Sequence, residues 1–398
     1  MLNRKTKAML LNGMTYGAAF FSLFILLSIV GFVFLNGFKL LNLDLITHNY
    51  QSVSHIADID QPRVGEYQTT KTFGEDTYYS VKWGVALTDS ENLMGKNIVL
   101  VTYVHKDSPL RNLHDKGVST QKLSLDVDYE IVRFAFDDGP SALSIHGAEN
   151  MINVLETKDA FRELEFSTSG GGIRGSIITT FYLIFLTLLF ALPIGIGAAL
   201  YLNEYAPKNK VTYLLRSFIE TLTGVPSIIY GLMGLALFVP ITIRLTSATG
   251  ANLISGALTL TVILLPVIIR TTEESLKVVP DDYRKASLSL GANHTQTTLK
   301  IVLPNALPGI LTATLLAIGR IIGESAALVF AIGTSIKDDI SIFDKSTSLA
   351  VHIWSMMTDE PANIELSTTI AIIILMIVLV LNITIKLLSK RFIRKYGA

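Results

Sequence analysis

Six apolar runs, each long enough to cross a bilayer, fix most of what this 398-residue chain can fold into. They lie at about 14–35, 173–202, 214–239, 251–269, 307–332 and 366–388. The first, Met14 to Leu35, rises roughly 33 Å at about 1.5 Å per residue, enough for the hydrocarbon core of a membrane. In lipid every backbone N–H and C=O must be satisfied within the segment, so such runs fold as helices and pack into a bundle. Half of the residues are hydrophobic, yet 17% are charged, too many for membrane spans alone. A membrane all-α bundle of about six transmembrane helices, with a separate polar domain, accounts for both numbers.

Basic residues mark the ends. Arg4, Lys5 and Lys7 precede the first run, and Lys386, Lys390, Arg391, Arg394 and Lys395 close the last. Such residues collect on the cytoplasmic side, which sets both termini inside and the polar stretch from Asn36 to Gly172 outside. The first run is long for a cleaved leader and lacks a nearby small-x-small cleavage site, so it reads as a membrane helix. Within the polar stretch, Tyr79, Val81, Trp83, Val85 and Leu87 alternate with small or polar residues, as in a strand. Ile98 to Val104 is a second strand, and Leu123, Leu125, Val127, Tyr129 and Ile131 alternate again. Asp137-Asp138-Gly139-Pro140 turns the chain, and Met151 to Leu164 reads as a helix. The expected organisation is a first membrane helix in 1–40, an inserted small α+β extracytoplasmic domain in 41–170, and a five-helix core in 171–398. With no cysteine there is no disulfide or thiolate chemistry. His48, His55, His105, His114 and His146 are scattered and expected to be solvated. A net charge of +0 gives no reason for nucleic-acid binding.

Two apolar runs carry residues that lipid disfavours. The fifth holds Gly319-Arg320-Ile321-Ile322-Gly323-Glu324-Ser325, with Arg320 about 20 Å along the helix. A charge at that depth costs roughly 2.5–3.5 kcal/mol. Arg320 and Glu324 stand four apart and are expected on one helix face, either as an internal salt bridge or as part of a path for an anion. The arginine fork matches an oxyanion, and Glu324 either orients it or accepts a proton-bearing oxygen of a protonated anion. Gly319, Gly323, Ser325 and Ala326 are small and admit a neighbouring helix, as at a seam between two subunits. The third run holds Thr223-Gly224-Val225-Pro226-Ser227. Pro226 removes a helix hydrogen bond and Gly224 admits a close backbone, so Gly224, Pro226 and Ser227 are expected to form a kink or gate.

Between the fourth and fifth runs lies a polar loop, Thr271 to Pro304. Pro280 stops one helix, and Asp281-Asp282 opens another with its acids at the positive end of the dipole. Tyr283, Ala286 and Leu290 share a face, Gly291 ends the helix, and a second short helix runs to Ile301 before Leu303-Pro304. This loop resembles the EAA loop of ABC importer permeases: Glu-Ala-Ala, three residues, Gly, nine residues, Ile, one residue, Leu-Pro. Gly291, Ile301, Leu303 and Pro304 fall at the family's spacing, and Lys285-Ala286-Ser287 stands at Glu-Ala-Ala. Lys285 in place of the Glu bears on any electrostatic role of that Glu, not on the helix-turn-helix shape.

Thr223 to Leu232, Gly319-Arg320 with Gly323 to Ala326, and Ser348 to His352 resemble the PstA permeases of phosphate ABC importers. Leu45-Ile46-Thr47 and Gly171-Gly172-Ile173 are similar to that family's sequence around its first outer loop. The resemblance is close over 171–398 and loose over 1–47, while 48–169 is an insertion with no inherited function. It implies a type I ABC importer permease in a bacterial cytoplasmic membrane, paired with a PstC-like permease chain. A PstB-like ATPase dimer would bind below, and a PstS-like phosphate-binding protein would dock above. It also implies that ATP and Mg sit on the ATPase partners, so that this chain carries no cofactor and is no enzyme. Asp282, Tyr283, Lys285, Ala286 and Gly291 would form the helix that slots into the ATPase, and Arg320, Glu324 and Ser325 would line the substrate path.

Four other readings compete. The sister PstC subunit shares an Arg-x-x-x-Glu pattern, and Arg320 suits sulfate or molybdate as well as phosphate. A membrane sensor would need a cytoplasmic output domain, where this sequence shows only a short basic tail. A membrane enzyme would need a catalytic set, and no HExxH, GxSxG or intramembrane aspartate pair is present.

Overall fold

The computed structural model describes residues 4–396 except 53, 60–64, 75, 92–95, 117–121, 169 and 359–361, and leaves undescribed the side chains of 4–11, 388 and 392–396. The basic side chains of Arg4, Lys5, Lys7, Arg394 and Lys395 therefore lie outside the described residues. The chain divides into two compact units, residues 1–41 with 176–398, and Asn42–Gly175.

Helix α1, Arg4–Gly37, opens the first unit. Its apolar window buries nothing within this chain, and it is pinned at its last turn. There Thr369 Oγ1 donates to the Gly37 carbonyl at 2.8 Å. A Cβ on Gly37 would lie 2.6 Å from the Thr368 carbonyl carbon, so only glycine permits the approach.

The second unit begins with a single helical turn, α2 (Leu43–Thr47), and is otherwise built on an antiparallel sheet. Its strands are β1 (Ser54–Asp58), β2 (Thr77–Ser80), β3 (Val85–Glu91), β4 (Asn97–Val104), β5 (Leu113–Asp115), β6 (Lys122–Leu123), β7 (Tyr129–Ala135), β8 (Ala142–Leu143) and β9 (Glu163–Thr168). They run in the order β2-β3-β4-β7-β9-β1-β5-β6, with β8 added on β7. Helix α3, Gly147–Glu156, packs Met151, Ile152 and Leu155 into the same core as Trp83, Leu87, Val101, Ile131 and Phe134. The two ends of the unit are stitched together. Gly171 N–H donates to Tyr50 O at 2.8 Å, Gly172 N–H to Asn49 O at 3.0 Å, and Ile173 N–H to Leu45 O at 2.8 Å. No side chain would fit at Gly172, where a Cβ would lie 2.0 Å from the His48 carbonyl oxygen.

Four expectations in this unit need correction. The alternation from Tyr79 to Leu87 is a hairpin, not one strand: the chain turns between β2 and β3, with Gly84 at φ +65° and Ser80 Oγ accepting from Trp83 N–H at 3.2 Å. The run from Leu123 to Ile131 is likewise split between β6 and β7. The helix expected over Met151 to Leu164 ends at Glu156, and its last residues belong to β9. His48, His55, His105 and His114 are half-buried rather than solvated, while His146 is exposed as expected. His55 Nδ1 lies 3.4 Å from Asp115 with its side chain 23% exposed.

Trp83 is the largest fully buried side chain, and its indole N–H donates to Leu155 O at 3.0 Å. Trp83→Ala is expected to remove about 3–5 kcal/mol from this unit. In membranes carrying the full chain, protease should then cut within 42–175 at a lower temperature, with the helices of the first unit still protected.

The first unit resumes with α4 (Arg174–Leu200), which continues through one π turn, Tyr201–Tyr205. Next come α5 (Lys210–Leu222) and α6 (Ser227–Met233), the latter extended by a π turn at Gly234–Phe238 into α7 (Val239–Leu245). Helix α8 (Leu253–Val278) forms the most buried span. Then follow α9 (Asp281–Ser289), α10 (His294–Thr297), α11 (Leu303–Gly323), α12 (Leu328–Ala331), α13 (Leu349–Thr358) and α14 (Ile364–Tyr396). Six helical segments among the described residues are long and apolar enough to cross a membrane: 12–37, 174–205, 227–245, 253–278, 294–323 and 364–391. Leu260, Leu264 and Ile268 of α8 pack with Ala317, Ile318 and Ile321 of α11 to form the centre of the bundle.

The third span differs from its expected range. It starts at Ser227, and the stretch 210–222 is a separate helix, because Pro226 has no N–H to continue α5. The connector 334–365 is no plain loop either. Helix α13 is too short to span and buries one face, Leu349, Val351, His352 and Met356, with His352 Nδ1 2.8 Å from Ser176 Oγ and Leu349 N–H donating to Thr180 Oγ1 at 3.0 Å.

Candidate functional site

Two breaks in helical structure meet inside the first unit. The first is Thr223–Pro226. Thr223 and Gly224 donate back to Glu220 and Thr221 carbonyls, both at 3.1 Å, and Pro226 at φ −58°, ψ 137° opens α6. Tyr230, buried, reaches back to close this loop, its hydroxyl donating to Leu222 O at 2.7 Å. The second break follows Gly323. Glu324 is extended, at φ −79° and ψ 118°, and its carboxylate accepts from Ala327 N–H at 3.2 Å, as an N-cap side chain does. Ser255 Oγ of α8 holds the far side of the break by donating to Ala331 O at 2.7 Å.

Gly231 brings the two breaks together. A Cβ there would lie 2.7 Å from Ala327 Cα, so α6 touches the backbone of the second break directly. Gly224, expected to admit a close backbone, instead meets only its own loop at 3.5 Å. The kink expected at Gly224, Pro226 and Ser227 is thus a helix start, and the tight packing falls one turn later.

Arg320 and Glu324 do not share a helix face, because α11 stops between them. Glu324 is 9% exposed and turned into the break. Arg320 is half-buried and makes no hydrogen bond or ion pair among the described residues. The internal salt bridge is therefore not formed. Ser325 is half-buried beside Glu324, and its carbonyl accepts from Val329 N–H at 3.0 Å. Gly319 and Gly323 face open space, in line with exposed Leu316. Lipid tolerates non-helical backbone only where protein or a wet cavity covers it. A free guanidinium beside two such breaks can hold an oxyanion with several donors.

A second assembly lies around α9. The helix starts after Pro280, with Asp281 and Asp282 in its first turn, and none of its residues is buried. Gly291, at φ +86°, ends it in a left-handed cap, with Ala292 N–H reaching Ser287 O at 3.2 Å. Tyr283, Ala286 and Leu290 are all exposed, as are Asp282 and Lys285, whose ion pair at 3.9 Å contributes little. Ser287 faces inward, its Oγ 2.9 Å from Thr297 Oγ1.

Sequence reasoning missed the residue that fixes this helix. Arg284 Nη2 and Nε donate to Glu204 at 2.8 and 3.4 Å, and the same guanidinium donates to Val279 O at 2.7 Å and Leu276 O at 3.0 Å. It thus ties α9 to the last carbonyls of α8 and to the π turn ending α4. Arg216 of α5 repeats the device, donating to Glu273 at 3.0 and 3.1 Å and to Leu202 O at 2.7 Å. A signal was present: Arg284 stands three residues before Ser287, on the face opposite Tyr283 and Ala286. Its partner, 80 positions away, was not legible.

Interrupted helices beside a cation with no partner among the described residues, and an exposed helix braced by Arg284, are compatible with a membrane transport subunit. The family of binding-protein-dependent transport system inner membrane components matches residues 191–395, just over half of the chain, and the chain belongs to that family. It is a multi-pass inner-membrane permease of an ABC importer, with the type I permease fold. Permeases of this family work with a second permease, an ATPase and a binding protein. The probable ABC transporter permease protein YqgI of Bacillus subtilis is 37% identical over 58% of this chain and 82% of its own. The phosphate transport system permease protein PstA of Pasteurella multocida is 34% identical over 54% of this chain and 74% of its own. Among solved structures, an inward-facing MetNI methionine ABC transporter chain is 21% identical, with a TM-score of 0.46 over 55% of this chain and 95% of that one.

Proposed function

We propose that this chain is one of the two permease subunits of an ATP-driven phosphate importer. The observation that carries the reading is Arg320, a guanidinium without a partner among the described residues, one turn before the break at Glu324. Phosphate at neutral pH is an anion that accepts hydrogen bonds from several directions, which suits a planar fork of donors. PstA proteins are among the relatives, and their name supports phosphate over other anions. The open face at Leu316, Gly319 and Gly323 is where a PstC-like chain would complete the path. Glu324 and Ser325 would line it, and Gly224, Pro226 and Ser227 would begin the facing helix. Both termini and the 271–304 loop would be cytoplasmic, with residues 36–172 outside facing a PstS-like binding protein.

In this reading, exposed Asp282, Tyr283, Lys285 and Ala286 on α9 dock on a PstB-like ATPase dimer, which holds ATP and Mg and does the hydrolysis. Because Arg284 couples α9 rigidly to the ends of α4 and α8, a push on α9 moves the spans. Uptake of labelled phosphate into cells, with sulfate and molybdate as competitors, tests the substrate. Competition by phosphate alone is expected; equal competition by the others would make the chain a broader oxyanion permease. Gly291→Pro tests the coupling. Proline holds φ near −65° and cannot adopt φ +86°, and it removes the N–H that donates to Leu288 O at 3.0 Å. Phosphate-stimulated ATP hydrolysis in the reconstituted complex is expected to be lost while the subunit stays in the membrane.

A further inference from the structure

Behind α9 lies a cavity of about 420 Å³, walled by the end of α4, the start of α5, the end of α8 and the start of α9. Four cations line it, Lys208, Arg216, Lys277 and Arg284, against two carboxylates, Glu204 and Asp281. Both carboxylates are engaged by Arg284, Glu204 at 2.8 Å and Asp281 at 3.3 Å. Arg216 is paired through Nε and Nη2 with Glu273, outside the wall, which leaves its Nη1 edge unused. Lys208 and Lys277 make no hydrogen bond or ion pair among the described residues, and neither serves the transport path or the brace on α9. Counting Glu273 behind Arg216, four positive charges stand against three negative ones, and Lys208 and Lys277 are the cations left without a partner among the described residues.

We propose that this cavity is a binding site for a phosphate group, held by Lys208, Lys277 and the free edge of Arg216. Two exposed lysines and a guanidinium edge border one concave space, which suits a compact, multiply charged acceptor better than a single carboxylate. Two sources share that chemistry. One is inorganic phosphate in solution. The other is an anionic lipid headgroup, since α5 presents an exposed apolar stripe of Val211, Leu214, Leu215, Phe218 and Leu222 beside the cavity mouth, and basic pockets at the membrane surface attract such headgroups. The occupant would sit against the wall that holds Arg284 and would set how firmly α9 is braced. That regulatory consequence rests on the coupling role proposed for α9; the binding itself does not.

The test measures binding, not transport. The full chain is placed in nanodiscs, and its unfolding temperature is read in zwitterionic lipid with and without inorganic phosphate, and in phosphatidylglycerol without phosphate. Wild type is expected to be stabilised by one probe, and Lys208→Gln/Lys277→Gln to need about tenfold or more of that probe for the same shift. Stabilisation by phosphate in neutral lipid assigns the free anion; stabilisation by phosphatidylglycerol alone assigns the headgroup. Lys208→Arg/Lys277→Arg keeps the charge and is expected to respond like wild type. Identical responses of wild type and the Gln variant to both probes would overturn the proposal. So would a phosphate response that survives in the Gln variant and disappears in Arg320→Ala, which would assign it to the transport path. Uptake and its competition profile stand or fall separately.

Discussion

Arg284→Ala is expected to uncouple the transporter while leaving its helices in the membrane. The side chain of Glu204 is 6% exposed and that of Arg284 19%, so truncation leaves a buried carboxylate without its cation, held only by Asn203 Nδ2 at 2.8 Å, and orphans the carbonyls of Leu276 and Val279. Breaking a buried pair from one side costs about 3–5 kcal/mol. The loss falls on the brace rather than on the bundle, because α9 buries none of its own residues and has little else to hold it. Hydrogen exchange should rise sharply over 279–290, and phosphate-stimulated ATP hydrolysis should fall to its basal rate. Arg284→Met with Glu204→Gln should recover most of the stability, since no charge is then stranded, but not the coupling, since the ties to two carbonyls are still gone. Normal coupling in Arg284→Ala would remove the brace from the mechanism.

Arg320→Ala separates transport from stability by sign. Hydrogen bonds to a charged group contribute about 1.5–3 kcal/mol each, so loss of the fork should lower phosphate uptake about 10- to 100-fold. The unpaired cation is itself a burden of roughly 2.5–3.5 kcal/mol at this depth. Its removal should therefore leave the unfolding temperature of the chain unchanged or higher. A residue that stapled the bundle would do the reverse. Arg320→Lys keeps the charge without the planar fork and should recover only part of the uptake. Labelled uptake and thermal unfolding of the same preparations decide between the two outcomes.

The membrane spans were legible because hydropathy is local: a run of about 20 apolar residues can meet its backbone hydrogen bonds only as a helix. The hairpin within 271–304 was legible for a similar reason. Pro280, Asp281-Asp282 and Gly291 each act on the backbone at their own position, and the helix runs between them. What escaped were features set by side-chain caps, by a proline opening a helix inside an apolar run, and by distant partners. The break after Gly323 has no proline to announce it; it depends on Glu324 capping forward onto Ala327 and on Ser255 holding Ala331. Apolar content alone ran the third span through Pro226, although proline at a helix start is commonplace. In the inserted unit, the alternation from Tyr79 to Leu87 continues through a hairpin because Trp83 points into the core from the turn itself. Helix α13 was hidden because a short apolar segment reads as a loop until its partners, Ser176 and Thr180, are known.

The inserted unit enters and leaves through one neck, where 45–50 and 171–173 are hydrogen-bonded side by side. A stretch closed off in this way is a cassette. It can be acquired, exchanged or discarded in one step without moving the helices that flank it. A lineage can thus refit this unit while the helical one stays the same.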